Sequence, residues 1–309
     1  MSIAILSSDK TDGSWFKALT DLAPDIAIEQ WPNIDDAKRV EFALCWQHQP
    51  GTLLPMVNLR CICSMGAGID HLLNDQQLPQ GLPVVRLIDP LLCSSMFEYL
   101  LSAIMQQLRH WSHYRQQQRQ ESWTPRLTAS IEQTKVGILG LGELGSYSAK
   151  RLAAIGFQLS GWSQSQKEIP GVASYRGDAE LSAFIGEQDF IICLLPLTAK
   201  TDGILNHSLF QQMKAGSYLI NVGRGGHVVE KDLLAALASG QLAGACLDVF
   251  QQEPLPSGHP FWRCDNLALT PHCSSITDPV SVAPQIIENY RRMQEGRPLV
   301  NEVDMKRGY

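Results

Sequence analysis

Short apolar runs alternate with stretches of helical periodicity along most of the chain. In the first third, residues 3–6, 26–28, 42–46, 61–65 and 84–87 are each of strand length. Between them, residues 14–23 and 35–39 suit helices or turns. Strands alternating with helices predict a parallel sheet covered on both faces. A second series begins at Lys135, with strands expected at 136–139, 157–162, 190–194, 218–222, 244–249 and 267–270. Its helices are expected at 144–155, 179–185, 208–213 and 230–238, with Gly240 as the stop of the last. Residues 94–122 lack Gly and Pro and are rich in helix formers, so they read as one long helix joining two α/β units. Residues 284–296 form a further helical pattern, with Ile286, Ile287 and Tyr290 on one face. Pro284 suits its first turn better than its interior.

Composition narrows the function. The 309 residues carry a formal net charge of −6, with 44% hydrophobic and 18% charged positions. That is enough apolar material for packed cores and about two domains. An acidic balance argues against a general nucleic-acid binder. Arg109, Arg115 and Arg119 make residues 94–122 locally basic, which reads as a solvated or dimer surface. Eight scattered cysteines, no signal-peptide pattern and no apolar run of membrane-span length predict a cytoplasmic protein with reduced thiols and no membrane partner. Cys61-x-Cys63 has the wrong spacing for a redox or zinc motif, and His110 and His113 lack a third ligand, so no metal is expected.

The strongest local motif is Gly140-Leu-Gly142-Glu143-Leu144-Gly145, after a strand and opening a helix. Glycines there permit a tight turn, close approach to a pyrophosphate, and close helix–strand packing. The helix N-terminus offers free N–H groups to phosphate. The ordinary reading is a plain strand–helix turn. The next strand ends at Trp162-Ser163, where an NAD site would place Asp or Glu for the ribose hydroxyls. With Gln164 and Lys167 following and no carboxylate there to repel a 2′-phosphate, NADPH is favoured and NADH remains possible.

Three polar residues follow later strands: Arg224 after Asn221-Val222-Gly223, Glu253 after Asp248, and His272 after Thr270-Pro271. Together they suit carbonyl reduction. A histidine can protonate the carbonyl oxygen, a glutamate can orient the ring and favour imidazolium, and an arginine can hold a carboxylate. Singly, each also reads as a loop, turn or strand-end residue.

In order, Gly140-x-Gly142-x-x-Gly145, Leu195-Pro196-Leu-Thr198, Asn221-Val-Gly-Arg224-Gly, Leu247-Asp-Val-Phe250 with Glu253-Pro254, and Thr270-Pro-His272 resemble the D-isomer-specific 2-hydroxyacid dehydrogenase family. Trp162-Ser163, Val228-Val-Glu230, Glu253-Pro-Leu-Pro256 and Arg307-Gly-Tyr309 are similar to its bacterial A-type glyoxylate/hydroxypyruvate reductases. The resemblance implies two doubly wound parallel-sheet α/β domains. One is a flavodoxin-like substrate domain, residues 1–93 and 277–309; the other is a Rossmann cofactor domain, residues 94–276.

It also implies roles. Arg224 would bind a 2-keto acid, His272 would donate the proton, and Glu253 would be its partner. Asp248, Val222 and Gly223 would lie near the nicotinamide, and Leu195, Pro196 and Thr198 would border the rest of the dinucleotide. The backbone of Met65-Gly66-Ala67-Gly68 would grip the substrate carboxylate, with Trp46 lining the pocket. The expected reaction is NADPH-dependent reduction of glyoxylate or hydroxypyruvate by a homodimer. Alternatives are an NAD-preferring dehydrogenase for another 2-keto acid and a non-catalytic dinucleotide-sensing regulator. The subgroup carries arginines where this chain has Gln164 and Gln166, and small apolar residues where it has Cys273-Ser274-Ser275.

Overall fold

The computed structural model describes residues 1–7 and 13–305. The motif Arg307-Gly308-Tyr309 therefore lies outside the described residues. The strands are β1 (Ser2–Ser7), β2 (Ala27–Gln30), β3 (Val40–Trp46), β4 (Cys61–Ser64), β5 (Val84–Arg86), β6 (Lys135–Leu139), β7 (Gln158–Ser163), β8 (Val172–Arg176), β9 (Phe190–Cys193), β10 (Ser217–Asn221), β11 (Leu242–Leu247) and β12 (Leu267–Leu269). The helices are α1 (Ser14–Leu22), α2 (Asp70–Leu73), α3 (Pro90–Leu108), α4 (Trp111–Arg119), α5 (Glu143–Ala154), α6 (Gly177–Ile185), α7 (His207–Gln212), α8 (Glu230–Ala238) and α9 (Pro279–Glu295).

The chain divides into two compact units, Met1–Leu92 with Thr277–Tyr309, and Cys93–Ile276. The first holds a parallel sheet of order β2-β1-β3-β4-β5 among the described residues. Both faces of its strands are buried. Ile3, Ile5, Phe42 and Leu44 meet Trp15 and Leu19 of α1 and Ile286, Ile287 and Tyr290 of α9. Ala4, Leu6, Ala43 and Ile62 pack with Leu53, Met56 and Leu72 on the other side. Two-sided burial is why these strands read as unbroken apolar runs.

The second unit holds a parallel sheet of order β12-β11-β10-β9-β6-β7-β8. Leu139, Ile191, Leu219 and Leu247 face Phe184, Phe210 and Leu233 of α6, α7 and α8. Val136, Ile138, Ile192 and Ile220 face Leu100 and Ile104 of α3 and Ala149 and Leu152 of α5. Helices on both faces of parallel strands make each unit doubly wound, the fold class read from the sequence. No described helix is long and apolar enough to cross a membrane.

Two expectations are corrected. Residues 94–122 are not one helix: α3 starts earlier, at Pro90, and the chain breaks before α4 at His110, whose φ is 57°. The break is a tertiary effect. The returning segment is held by His110 Nε2 at Leu127 O (3.0 Å), by the Tyr114 hydroxyl accepting Arg126 N–H (3.0 Å), and by the Gln117 amide on Thr124. Pro284 is inside a helix, because α9 starts at Pro279, capped by the Asp278 side chain on Val280 N–H. Its partner position Val280 is exposed, so water can serve the carbonyl that Pro284 leaves without a donor. Residues 35–39, read as a helix or a turn, hold the 3₁₀ turn Ala37–Arg39. Strand β8 was not foreseen: it is an edge strand with the mixed sequence Val-Ala-Ser-Tyr-Arg, paired only with β7.

Asp89 anchors the start of α3. Its Oδ1 accepts Leu91 N–H (2.6 Å) and Leu92 N–H (3.3 Å), while Oδ2 accepts the Ser281 hydroxyl (3.2 Å). Asp89→Ala is expected to lower stability by about 1–2 kcal/mol in urea unfolding, as loss of a helix cap does. An unchanged midpoint would show that these bonds contribute nothing.

Candidate active site

In the larger sheet β6 starts the series; β7 and β8 add on one side and β9 to β12 on the other. Ligands bind where strand order reverses in this way, outside the carboxyl ends. The glycine turn after β6 and the loop after β9 meet there. Gly140 has φ 104°, and a Cβ on it would lie 2.7 Å from Leu194 O. A Cβ on Gly145 would overlap Gly140 O. Both glycines are required by the protein's own packing. Gly142 is different: its φ of −72° suits any residue, and a Cβ on it would meet nothing within 4 Å. The open space lies at the N-terminus of α5, beside Glu143 and Leu144. Room without internal need, next to exposed helix N–H groups, fits a pyrophosphate.

The loop after β9 is braced internally. Thr201 Oγ1 donates to Pro196 O (2.6 Å) and accepts Thr198 N–H (2.8 Å). Leu195 is buried in the core, so only its backbone is available to a ligand. The same holds for Val222. At the end of β7, the Trp162 ring is buried and its Nε1–H donates to Gly177 O (2.8 Å). The Trp162 side chain packs the core, and its backbone ends β7 beside Ser163. Ser163 is partly exposed, and Gln164 and Lys167 are exposed.

The polar residues after the later strands gather by pairs. Glu253 Oε2 lies 2.7 Å from His272 Nδ1, and Glu253 Oε1 accepts Phe250 N–H (2.9 Å). Burial raises the Glu253 pKa, but the bonds from His272 and Phe250 and the charges of His272 and Arg224 outweigh it. The carboxyl ends below its usual value. His272 has φ 51°, a left-handed conformation uncommon for residues other than glycine.

Asp248 imposes that conformation. It is fully buried, and its carboxylate accepts the Thr270 hydroxyl (2.6 Å), Cys273 N–H (2.8 Å) and Ser274 N–H (2.9 Å), while its carbonyl accepts His272 N–H (2.8 Å). The carboxylate expected near the nicotinamide is thus occupied in shaping the loop that carries His272. The Tyr99 hydroxyl extends the chain to Thr270 (2.6 Å).

Sequence reading missed His227. It is fully buried; Nδ1 accepts Arg224 N–H (3.0 Å) and Nε2 lies 3.3 Å from Pro196 O. A neutral ring that accepts at Nδ1 carries its proton at Nε2, so His227 ties the Arg224 turn to the loop after β9. In Gly-Gly-His-Val-Val nothing marks this histidine out. Arg224 Nη1 donates to Gly223 O (2.7 Å).

In the smaller unit the loop after β4 is held through its carbonyls. The carbonyls of Gly66, Ala67 and Gly68 are taken by Leu87 N–H, Arg86 Nη1 and the Ser64 hydroxyl. Met65 is buried, its N–H bonded to Cys45 O. The N–H groups of Ala67 and Gly68 have no partner among the described residues. The Trp46 ring covers Gly66 and stands 4.9 Å from the His71 ring.

Residues 101–274 match the model of the D-isomer specific 2-hydroxyacid dehydrogenase NAD binding domain. The chain belongs to the D-isomer specific 2-hydroxyacid dehydrogenase family. A relative named glyoxylate/hydroxypyruvate reductase A, from Yersinia enterocolitica serotype O:8 / biotype 1B, is 40% identical over 96% of each chain. A D-isomer specific 2-hydroxyacid dehydrogenase from Xanthobacter autotrophicus Py2, solved with NADPH and MES, superposes with TM-score 0.95 at 36% identity, covering 100% of this chain and 99% of that one. An NADPH-dependent glyoxylate/hydroxypyruvate reductase from Sinorhizobium meliloti, solved with NADP and sulfate, gives TM-score 0.94 at 33% identity over 100% of both.

For this dehydrogenase the two glycines predict opposite phenotypes. Gly142→Ala should fold with an unchanged melting temperature but bind nucleotide weakly in calorimetry. Gly145→Ala should destabilise by about 1–3 kcal/mol, the usual cost of overpacking. If Gly142→Ala binds as well as the parent, the space above it is not the pyrophosphate site.

Proposed function

We propose that the chain reduces small 2-keto acids with NADPH, glyoxylate to glycolate and hydroxypyruvate to glycerate. The observation that carries this reading is the His272–Glu253 pair at 2.7 Å, beside Arg224 and on the same sheet as the glycine turn. The names of the Yersinia and Sinorhizobium relatives support the substrates, and the NADPH and NADP in the solved relatives support the cofactor.

The bound nicotinamide supplies the hydride for the carbonyl carbon. This chain's residues do the rest. With Nδ1 engaged by Glu253, His272 presents Nε2 as the proton donor to the carbonyl oxygen. Glu253 stays ionised below its usual range and so keeps the ring oriented. Arg224, its backbone fixed by His227 and Asn221, offers a guanidinium to the keto-acid carboxylate. Within the smaller unit, the N–H groups of Ala67 and Gly68, near Trp46, are donors suited to a carboxylate.

NADPH and NADH absorbance should be followed with glyoxylate, hydroxypyruvate and pyruvate. The expected result is NADPH consumption with the first two. His272→Ala should lose about 10²–10⁴-fold in kcat while binding nucleotide normally. Absence of turnover with every keto acid sinks the enzyme reading and favours a sensor. Equal efficiency with NADH overturns the NADPH preference.

The homodimer expectation is supported by apolar side chains around the break between α3 and α4. Trp111, Trp123 and Leu127 are exposed there, the last two almost completely. Sedimentation at micromolar concentration should give twice the chain mass of 34.2 kDa; a single chain mass removes the dimer.

A further inference from the structure

Strands β7 and β8 lie in register, with Trp162 opposite Tyr175 and Ser163 opposite Arg176. Alternation along a strand sends these two pairs to opposite faces of the sheet. Trp162 and Tyr175 pack into the core with Phe184. Ser163 and Arg176 therefore share the other face with Leu159 and Val172, the face on which Leu141 and Leu144 of the glycine turn and Ala149 and Leu152 of α5 are packed. Ser163 stands where the ribose-binding acid of an NAD site would be.

Arg176 is exposed and forms no ion pair with a described residue. Two acids follow in the first turn of α6: Asp178, which forms no ion pair with Arg176, and Glu180, whose Oε2 accepts Arg176 N–H at 2.7 Å. The connection between the strands, residues 164–171, contains one lysine and one glutamate, Lys167 and Glu168, and so adds no net charge. It folds back on the Arg176 face, where Lys167 N–H meets the Ser174 hydroxyl at 3.4 Å. Gln164 and Gln166 are neutral. The end of β7 thus carries a hydroxyl, no acid, and a guanidinium from the adjacent strand.

We propose that Arg176 is the residue that selects NADPH over NADH, by pairing its guanidinium with the 2′-phosphate of the adenosine ribose. A planar fork of N–H donors matches a phosphate better than an ammonium does, so Arg176 dominates over Lys167. The inference rests on the dinucleotide reading of the glycine turn.

The test is calorimetric titration of the full chain with 2′,5′-ADP and with 5′-ADP, for the parent, R176Q and R176K. The parent should bind 2′,5′-ADP more tightly. R176Q should weaken 2′,5′-ADP about ten- to hundredfold, the value of a charge-assisted contact, and leave 5′-ADP within about twofold. R176K should fall between. Loss of both ligands together would make Arg176 structural, and an unchanged ratio in R176Q would place the selectivity elsewhere; either overturns the proposal while the nucleotide site stands. Binding of neither ligand by the parent overturns the nucleotide reading and this inference with it.

Discussion

A buried carboxylate holds the candidate site together. Asp248 is out of water at the end of β11, where an isolated charge would be costly. Two backbone N–H groups and a threonine hydroxyl compensate it, and all three come from the loop after β12. Satisfying that charge forces the loop to turn tightly enough that His272 adopts a positive φ. The turn brings its Nδ1 to Glu253. Without Asp248 the histidine would sit on an ordinary surface loop. The reach of the interaction extends through Thr270 to Tyr99 on α3, so the packing of a helix and the aim of the His272 side chain share one hydrogen-bonded chain.

The same economy appears at the glycine turn and at Arg224. Gly140 and Gly145 satisfy backbone contacts inside the protein, which frees Gly142 to face a ligand. His227 spends both ring nitrogens on holding two loops, so Arg224 is positioned by a neighbour that never needs to touch substrate. An acidic chain that handles anions places its donors this way: a few fixed N–H groups and guanidinium groups, in place of a broad positive surface.

Much of the fold was legible in the chain. The apolar runs of β1, β3, β6, β9 and β10 and the pattern of α8 announce themselves because two-sided burial demands unbroken apolar strands and helices need a regular stripe. The order of motifs named the family and pointed to Arg224, Glu253 and His272. What was hidden depends on partners distant in sequence. Strand β8 has too little burial to show a pattern. The break at His110 is held by residues 124–128, which propensity cannot see. That the Trp162 indole is satisfied inside the core, by Gly177 O, depends likewise on a segment beyond its own strand.

The sequence by itself determined the alternation of elements, the parallel sheets and the chemical types at the strand ends. Local periodicity and glycine placement act over a few residues, so they can be read from the chain. Only the tertiary structure decided which of those residues meet. It paired His272 with Glu253, made Asp248 a brace for the loop that carries His272, recruited His227, and set Arg176 opposite Ser163. Each of these rests on a register or a loop closure between distant segments, and that geometry exists only once the sheet has formed.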